Sequence, residues 1–526
     1  MSVTIKNIFD QTVQKFPIKE AIYDVRRNIR YTFIQWNEQV NRLAAALQAE
    51  GVRKGDRVST YLYNNEELAT AFFACAKIGA IFNPINFRLM PEELAFILNE
   101  AAPKVVLFEH ELETNVAAVE KRFPETAFWY IDDDVPGYAK GYRQKMASIS
   151  SKPDEVDVHE DDIYAIMYTS GTTGRPKGVI HLHKDMVKHA EILIEAMKYE
   201  RSDIGLITAP MFHCAELHCS FLPRVQVGAA NVILHQFNPK KVMELIESEG
   251  ITKFFAAPTM WNMLIQENLE EYKFQSLKLG LYGAAPMAPS LVRACKEKLG
   301  IQFIQAYGMT EMGPAITLLL EEDQIRKAGS AGKACSDHEI IIARPNDEGP
   351  SDPEDMLEPG ETGEILVKGP CIMQGYFQKD KETEKALYKG WYHSGDIGFL
   401  DEDGYLWVKD RVDDMIISGG ENIYPREVED TLYEHQGVLD CAVLGQPDDQ
   451  WGEIVTAFIV AKDPSLAETD LETWCKNSNT LATYKRPRRY IFCNELPRNA
   501  SGKIQKFLLR KQLEENVDGK SLGNLL

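Results

Sequence analysis

The chain has 526 residues, with 58 Lys and Arg against 79 Asp and Glu, which gives a formal net charge of −21 at pH 7. This length exceeds what one hydrophobic core supports, so at least two folding units are expected. Because an acidic surface repels nucleic acid and anionic lipid, neither is expected as a partner, and a polyanionic substrate needs local cations and backbone donors.

Neither a membrane anchor nor a secretory signal is predicted. No run of about 18 apolar residues occurs, and residues 1–15 lack the basic-then-apolar pattern of a signal peptide. The nine cysteines are scattered, without a Cys-x-x-Cys pair, which is typical of reduced thiols in the cytosol. We therefore expect a cytoplasmic protein, and we leave open whether it forms a homodimer.

Short apolar runs alternate with longer amphipathic runs in the first part of the chain. Strands alternating with helices in this way are typical of parallel α/β sheets. The predicted strands are 57–63, 80–85, 205–209, 232–235, 254–257, 279–282 and 303–306, and the predicted helices include 66–78, 239–248 and 288–299.

The pattern of predicted strands and helices changes twice in the second part of the chain. Strands at 339–343, 363–368 and 404–409 are linked by Gly, Pro and Asp turns, which predicts a small antiparallel sheet or barrel. A compact αβ unit with strands at 441–444 and 454–461 follows. We therefore expect a multi-domain α/β protein, with a large domain at 1–411 and a small α+β domain at 412–526.

One segment combines glycines, hydroxyls and cations. Residues 168–179 read Tyr-Thr-Ser-Gly-Thr-Thr-Gly-Arg-Pro-Lys-Gly-Val. Glycines let backbone N–H groups turn toward a ligand, hydroxyls add donors, and a lysine adds charge, so a phosphate cradle is predicted. The cradle residues are Thr169, Ser170, Gly171, Thr172, Thr173, Gly174 and Lys177.

The cradle differs from a Walker A loop. Pro176 precedes the lysine and Gly178 follows it, where Walker A has Gly-Lys-Ser/Thr leading into a helix. The flanks 163–167 and 179–182 both read as strands, so a hairpin-like loop is predicted.

This loop and several further motifs, in the same order and over nearly the whole chain, resemble the acyl-adenylate-forming enzymes. That superfamily includes acyl-CoA synthetases, aryl-CoA ligases, luciferases and peptide-synthetase adenylation domains. The closest likeness is to fatty acyl-CoA synthetases. The resemblance implies that a carboxylic acid reacts with ATP to give acyl-AMP and pyrophosphate, and that the acyl group then passes to CoA with release of AMP.

Two segments that end strands are implied to hold the nucleotide and Mg²⁺. The small residues Gly283, Ala284 and Ala285 border the adenine and the acyl pocket by resemblance. In 307–311, an aromatic side chain can stack on adenine, a hydroxyl can donate to the α-phosphate, and a carboxylate is a hard ligand for Mg²⁺. These residues are Tyr307, Gly308, Met309, Thr310 and Glu311, and Thr169 is implied to lie near the metal as well.

The second half of the chain supplies further implied contacts. Asp396, in a tight Ser-Gly-Asp turn, matches the ribose ligand, and Arg411 matches a ribose or phosphate contact. Lys503, on a Gly-containing loop in a basic stretch, would offset the charge that develops as the carboxylate attacks the α-phosphorus. By resemblance, Asp413 is a domain hinge, and the glycines 419–420 (Gly419 and Gly420) border the CoA path.

The acyl pocket is implied at 210–216, where Phe212 and His213 resemble the gate of acyl- and aryl-CoA ligases. An aspartate in place of His213 is typical of amino-acid-activating relatives, so an amino acid is disfavoured. Glu216 stands where a glycine is usual, and we expect it to shorten or polarise the acyl tunnel. His213, Cys214, His218 and Cys219 could also bind zinc, but structural zinc sites take a second ligand pair, which the sequence lacks.

Other functions stay open at this stage. Within the superfamily, the chain could be an aryl-CoA ligase, or an acyl-AMP ligase that loads a carrier protein. Outside it, a phosphotransferase could use the same cradle, although kinase motifs are not found. A non-catalytic nucleotide-binding relative is the remaining alternative, and the presence of Glu311, Asp396 and Lys503 argues against it.

Overall fold

The structure is a computed structural model that describes residues 3–149, 152–169, 176–283, 287, 289–346, 349–411, 414, 416–418, 421–448, 451–478, 481–498 and 504–515. Its strands form four sheets of nine, five, eight and five strands. The predicted class, a multi-domain α/β protein with parallel and antiparallel sheets, is confirmed. In the described part of the chain, no helix combines the length and the apolar character needed to cross a membrane.

Helices and strands alternate in the N-terminal part. The predicted helix at 66–78 has those bounds, because Asn65 caps its first turn by accepting a hydrogen bond from the N–H of Leu68, and Gly79 ends it in the left-handed region. The helices are α1 (Ile5–Lys15), α2 (Phe33–Ala49), α3 (Glu66–Ile78), α4 (Pro91–Ala101), α5 (Glu113–Ala117) and α6 (Tyr142–Ala147), and the strands are β1 (Glu20–Asp24), β2 (Ile29–Thr32), β3 (Arg57–Tyr61), β4 (Ile81–Pro84), β5 (Val105–Phe108), β6 (Ala127–Tyr130) and β7 (Lys140–Gly141).

The alternation continues through the next part. The strands are β8 (Ile163–Thr169), β9 (Lys177–Leu182), β10 (Ile204–Ile207), β11 (Ala230–Ile233), β12 (Lys253–Phe255), β13 (Leu279–Tyr282), β14 (Gln302–Tyr307), β15 (Thr317–Leu319) and β16 (Lys333–Ala334), and the helices are α7 (His183–Met197), α8 (Cys214–Glu216), α9 (Leu222–Val227), α10 (Pro239–Glu249), α11 (Pro258–Ile265) and α12 (Pro289–Leu299).

The remaining elements form two small sheets and supply one strand to a large sheet. They are β17 (Glu339–Ala343), β18 (Gly363–Lys368), β19 (Gly375–Tyr376), α13 (Asp380–Ala386), β20 (Leu387–Tyr388), β21 (Trp391–Leu400), β22 (Leu406–Arg411), β23 (Ile416–Ser418), β24 (Glu421–Ile423), α14 (Pro425–Tyr433), β25 (Val438–Asp448), β26 (Gly452–Ala461), α15 (Glu468–Lys476), β27 (Arg489–Phe492) and α16 (Lys506–Glu515). The sheet of β17, β18, β20, β21 and β22 is antiparallel, as predicted.

The nine-stranded sheet has the order β16-β15-β14-β13-β12-β10-β11-β1-β2. Its strands from β14 to β1 are parallel neighbours, so β10, β13 and β14 end at the same edge. Those three ends lead into the segments that carry His213, Gly283 and Glu311. Ligands of open α/β sheets bind outside the carboxyl ends of the strands, so this edge is where a site is expected.

The eight-stranded sheet has the order β19-β9-β8-β4-β3-β5-β6-β7. The strands β8 and β9 form an antiparallel hairpin, as the flanks of the cradle predicted. The short strand β19, which comes far later in the chain, pairs antiparallel with β9.

A buried ion pair supports the segment that follows β10. Arg224 and Glu216 are both fully buried, and Nη2 of Arg224 lies 3.1 Å from Oε1 of Glu216. Nε of Arg224 also donates to Oδ1 of Asn231 at 2.8 Å. The arginine fits because Gly205 has no side chain: a Cβ there would lie 2.3 Å from Cδ of Arg224.

We expect Gly205→Ala to lower the free energy of unfolding by about 1–3 kcal/mol, because the added methyl must displace a buried, doubly bonded guanidinium. The midpoint of thermal unfolding, followed by circular dichroism, measures this. Gly137→Ala is the matched control, since a Cβ at Gly137 meets no atom within 4 Å. Equal midpoints for the two variants would contradict the steric argument.

Candidate active site

The two ends of the predicted cradle are fixed by the β8–β9 hairpin. Thr169 is the last residue of β8 and Lys177 the first of β9, and the two are cross-strand partners. The hydroxyl of Thr169 also lies 3.5 Å from the carbonyl oxygen of Lys177. The hairpin therefore holds a hydroxyl and a cation side by side at the end that leads into the loop.

Glu311 lies against this hairpin although 142 positions separate it from Thr169. It belongs to a single 3₁₀ turn, Thr310–Met312, that follows β14. Its buried carboxylate accepts two hydrogen bonds at Oε1, from the hydroxyls of Thr169 and Tyr376, each at 3.2 Å. The structure thus brings together the two residues that were predicted to lie at the metal.

Thr310, the predicted α-phosphate donor, lies between the phosphate and acyl segments. Its hydroxyl oxygen lies 3.2 Å from Sγ of Cys214, the residue that follows His213. Its carbonyl oxygen accepts a hydrogen bond of 2.6 Å from Nε2 of His181. Burial lowers the pKa of His181 to about 4, so this ring is neutral near pH 7 and donates through Nε2.

Tyr307 and Asp396, predicted to contact adenine and ribose, touch each other. The Tyr307 hydroxyl donates to Oδ2 of Asp396 at 2.6 Å. Asp396 is also the cross-strand partner of Arg411, the other predicted ribose contact. Three residues from separate motifs are therefore neighbours.

The predicted tight turn at Asp396 is wrong. The Ser394–Asp396 segment lies inside the ten-residue strand β21. Gly395 has φ +66°, and the ladder to β18 changes register beside it. The hydroxyl of Ser394 accepts from the N–H of Asp396 and donates to the carbonyl of Ile365. The glycine thus produces a local bulge, where the sequence suggested a chain reversal.

Two predicted glycines are required by neighbouring backbone. A Cβ at Gly283 would lie 2.6 Å from the carbonyl oxygen of Ala306, and a Cβ at Gly308 would lie 2.6 Å from that of Pro314. Next to Gly308, Sδ of Met309 accepts a hydrogen bond of 3.2 Å from the Tyr392 hydroxyl. The first approach brings the ends of β13 and β14 close together, and the Met309 contact joins the segment after β14 to β21.

On the acyl side, Phe212 and His213 precede the short helix α8. The ring of Phe212 meets that of Phe87 edge-on, with centroids 5.3 Å apart. Nδ1 of His213 accepts from the N–H of Ala215 at 3.2 Å. Burial lowers the pKa of His213 to about 4, so the neutral ring carries its proton on Nε2.

Glu216 does not stand alone as the acid expected in the acyl tunnel. It forms the buried pair with Arg224, and a π-helical turn at Leu217–Phe221 separates the two.

Among the described residues, one group has ligand atoms close enough together to hold a metal ion. It consists of Glu109, Glu111 and His235. The guanidinium of Arg26 pairs with both of those glutamates.

Several predicted site residues lie outside the described residues. They are Ser170, Gly171, Thr172, Thr173, Gly174, Ala284, Ala285, Asp413, Gly419, Gly420 and Lys503. For Arg411, the backbone alone is described.

Sequence reasoning missed Tyr376, Cys214 and His181 as neighbours of the site. The local signal for His181 was its place in the predicted strand 179–182, which follows the cradle. Tyr376 gave no signal of its own, because its contacts depend on how distant segments meet. Cys214 lies in the predicted acyl segment 210–216, but its contact with Thr310 was not predicted.

A family model described as "AMP-binding enzyme" matches residues 9–377, and one described as "AMP-binding enzyme C-terminal domain" matches residues 427–503. The chain belongs to the AMP-binding enzyme family. This confirms the resemblance to adenylate-forming enzymes that the motifs indicated.

Individual relatives cover nearly the whole chain. A long-chain-fatty-acid–CoA ligase of Mycobacterium tuberculosis is 35% identical over 95% of this chain and 97% of its own length. A feruloyl-CoA synthase of an Amycolatopsis species is 36% identical over 91% of this chain and 94% of its own. The solved structure of an o-succinylbenzoate coenzyme A synthetase from Bacillus subtilis, with ATP and magnesium ion, has a TM-score of 0.83 at 32% identity, covering 97% of this chain and 99% of that one.

The expected enzyme class, an AMP-forming acid–CoA ligase, is confirmed by these matches. The three relatives differ in the acid that their names give: a fatty acid, ferulate and succinylbenzoate. The comparisons therefore support an acyl- or aryl-CoA ligase and do not specify the acid.

We expect Tyr307→Phe to raise the KM for ATP about tenfold, because a hydrogen bond to a carboxylate contributes about 1.4 kcal/mol or more. Without this hydrogen bond, the Asp396 carboxylate loses one restraint on its orientation. Steady-state kinetics with varied ATP measures the effect, and the KM for the acid is the internal control. An unchanged KM for ATP would show that the contact does not orient Asp396.

Proposed function

We propose that the chain is a fatty acyl-CoA synthetase, which uses ATP and Mg²⁺ to activate a fatty acid and transfers the acyl group to CoA. The observation that carries this proposal is the junction of Thr169, Glu311 and Tyr376 beside the Tyr307–Asp396 contact. We assign the metal contact to Glu311 and Thr169, the adenine contact to Tyr307 and the ribose contact to Asp396.

The donor set at the junction fits Mg²⁺. Carboxylate and hydroxyl oxygens are the hard ligands that this ion prefers, and Glu311 and Thr169 would hold it. When bound, Mg²⁺ supplies charge neutralisation on the phosphate oxygens of ATP.

In the first half-reaction, an oxygen of the substrate carboxylate attacks the α-phosphorus, and the bond to pyrophosphate breaks. The Thr310 hydroxyl donates to the α-phosphate, and Lys177 with the cradle donors holds the departing phosphates. Lys503 approaches the same phosphate and offsets the charge that develops there. Asp396 and Arg411 hold the ribose, and Tyr307 stacks on the adenine.

In the second half-reaction, the thiol of CoA attacks the acyl carbonyl. The bond from the acyl carbon to the AMP oxygen breaks, AMP leaves with that electron pair, and the thiol proton passes to solvent. A loop that covers the phosphates obstructs the thiol, so one arrangement cannot serve both steps. We propose that the unit 412–526 turns about Asp413 relative to 1–411, which brings Gly419 and Gly420 to the CoA path.

The proposal of a fatty acid rests on the apolar character of the acyl side. Phe212 and Phe87 present aromatic surface there, and the one acid of the segment, Glu216, is neutralised by Arg224. The same aromatic pair and the feruloyl-CoA relative also support an aryl acid, which is the second candidate.

We also propose that the enzyme works in the cytoplasm. All nine cysteines lie within the described residues and all are free thiols, eight of them buried. Unpaired thiols are the usual state in a reducing compartment.

A panel of acids tests the reaction and the substrate class together. Purified protein with ATP, Mg²⁺ and CoA receives acids from acetate to palmitate, benzoate and ferulate, and AMP, ADP and thioester are measured. We expect AMP and a fatty acyl thioester, with acid-dependent exchange of pyrophosphate into ATP. Turnover of aromatic acids alone would show that the enzyme is an aryl-CoA ligase. Formation of ADP without pyrophosphate exchange would refute both candidates.

Lys503→Ala is expected to abolish acyl-AMP formation and to leave thioester formation from supplied acyl-AMP largely intact, because only the first step needs charge at the α-phosphate. The two half-reactions are assayed separately, by pyrophosphate exchange and by thioester release. Lys511→Ala is the matched control in the same basic stretch and is expected to change neither step. Equal losses in both steps for Lys503→Ala would contradict the two-position mechanism.

A further inference from the structure

Tyr376 contacts two residues of the proposed site that come from different motifs. Its hydroxyl donates to Oε1 of Glu311 at 3.2 Å. Its ring faces Nζ of Lys177, which lies 4.4 Å from the ring centroid, within range of a cation–π interaction. With 6% of its surface exposed, Tyr376 is held inside the protein.

The backbone around Tyr376 makes the same two connections. The N–H of Met373 donates to the carbonyl of Glu311 at 2.8 Å. The N–H of Phe377 donates to the carbonyl of Gly178 at 2.7 Å, and β19 pairs with β9 in register Tyr376↔Val179. The segment Met373–Phe377 is therefore bonded to the strand that carries Lys177 and to the turn that carries Glu311.

The tyrosine also determines which oxygen of the Glu311 carboxylate faces a ligand. Oε1 accepts from Tyr376 and from Thr169, so its two bonds fix the rotation of the carboxylate. Within the described part of the chain, no protein donor bonds Oε2 of Glu311. Oε1 is therefore held by two protein donors, whereas Oε2 is the oxygen that is available to a ligand.

We propose that Tyr376 is a positioning residue that orients the Glu311 carboxylate toward Mg²⁺ and holds Lys177 beside it. The inference rests on the proposed function, in which Glu311 holds the metal and Lys177 contacts phosphate. Tyr376 touches neither substrate nor metal and acts through these two side chains. Partners of metal ligands commonly change metal affinity or activity by about 10–100-fold when they are removed.

Two substitutions separate the hydroxyl from the ring. Tyr376→Phe keeps the ring over Lys177 and removes the bond to Glu311, so the free Mg²⁺ needed for half-maximal pyrophosphate exchange is expected to rise about tenfold or more. At saturating Mg²⁺ its rate and its KM for ATP stay near those of the unmodified enzyme. Tyr376→Leu also removes the ring from Lys177, so its KM for ATP is expected to rise even at saturating Mg²⁺.

Tyr405→Phe is the matched control. Its hydroxyl also donates to a carboxylate, Oδ2 of Asp323 at 2.6 Å, and it is similarly buried. Among the described residues, its side chain contacts Asp323, Arg326, Lys327 and Lys333, none of which belongs to the proposed site, so we expect its Mg²⁺ dependence to be unchanged. Thermal unfolding of all three variants reports any general loss of structure.

A double-mutant cycle tests whether Tyr376 acts through Glu311. Calorimetric titration with ATP and Mg²⁺, without acid, measures binding in Tyr376→Phe, Glu311→Gln and the double variant. We expect Tyr376→Phe to weaken binding in the native background and to change little in the Glu311→Gln background. Full additivity, or an unchanged Mg²⁺ requirement in Tyr376→Phe, would overturn the inference. Failure of the proposed function is distinguishable, because the unmodified enzyme would then show no acid-dependent exchange.

Discussion

The carboxylate of Glu311 lies where three distant segments of the chain meet. Thr169 and Tyr376 belong to the eight-stranded sheet, whereas Glu311 follows β14 of the nine-stranded sheet. The bonds at Oε1 therefore join the two large sheets, as does the bond from Nε2 of His181 in β9 to the carbonyl oxygen of Thr310. Apolar packing is not directional, so these hydrogen bonds help to set the position of the β8–β9 hairpin relative to the ends of the parallel strands. The geometry of the candidate site depends on them.

Charge in the site comes from few residues. The imidazoles near Thr310 are neutral, because burial lowers the pKa of His181 and His213 to about 4 and holds the pKa of His218 well below its usual range. They supply hydrogen bonds and shape. In a chain with a net charge of −21, a polyanion would then be met by lysines such as Lys177 and, under the proposed function, by Mg²⁺.

The basic stretch near the C-terminus is also less cationic than its sequence suggests. Four of its cations pair with carboxylates of the same C-terminal unit, and the pairs are Lys485–Glu427, Arg498–Asp440, Lys506–Glu429 and Arg510–Asp414. Much of the excess positive charge of this stretch is therefore paired with carboxylates and stabilises the small unit. This favours a local role for a single lysine over general attraction of polyanions by the stretch.

Local signals explain what the sequence predicts well. The helix α3 is predicted to the residue because its cap and its terminal glycine stand next to it in the chain. The hairpin of β8 and β9 follows from two apolar runs around a glycine-rich loop. Tyr376 could not be found in this way, since its importance arises from a strand pairing between residues far apart. Asp396 was misplaced because a glycine bulge and a turn share the same local sequence.

The pair of Glu216 and Arg224 explains a departure from the family pattern without invoking the substrate. Arg224 needs the space that Gly205 leaves and is bonded to Asn231 as well as to Glu216. Removing one partner of a buried pair leaves an uncompensated charge, which is strongly destabilising. These residues therefore depend on one another as a set, and the buried pair gives Glu216 a structural role in the segment that follows β10.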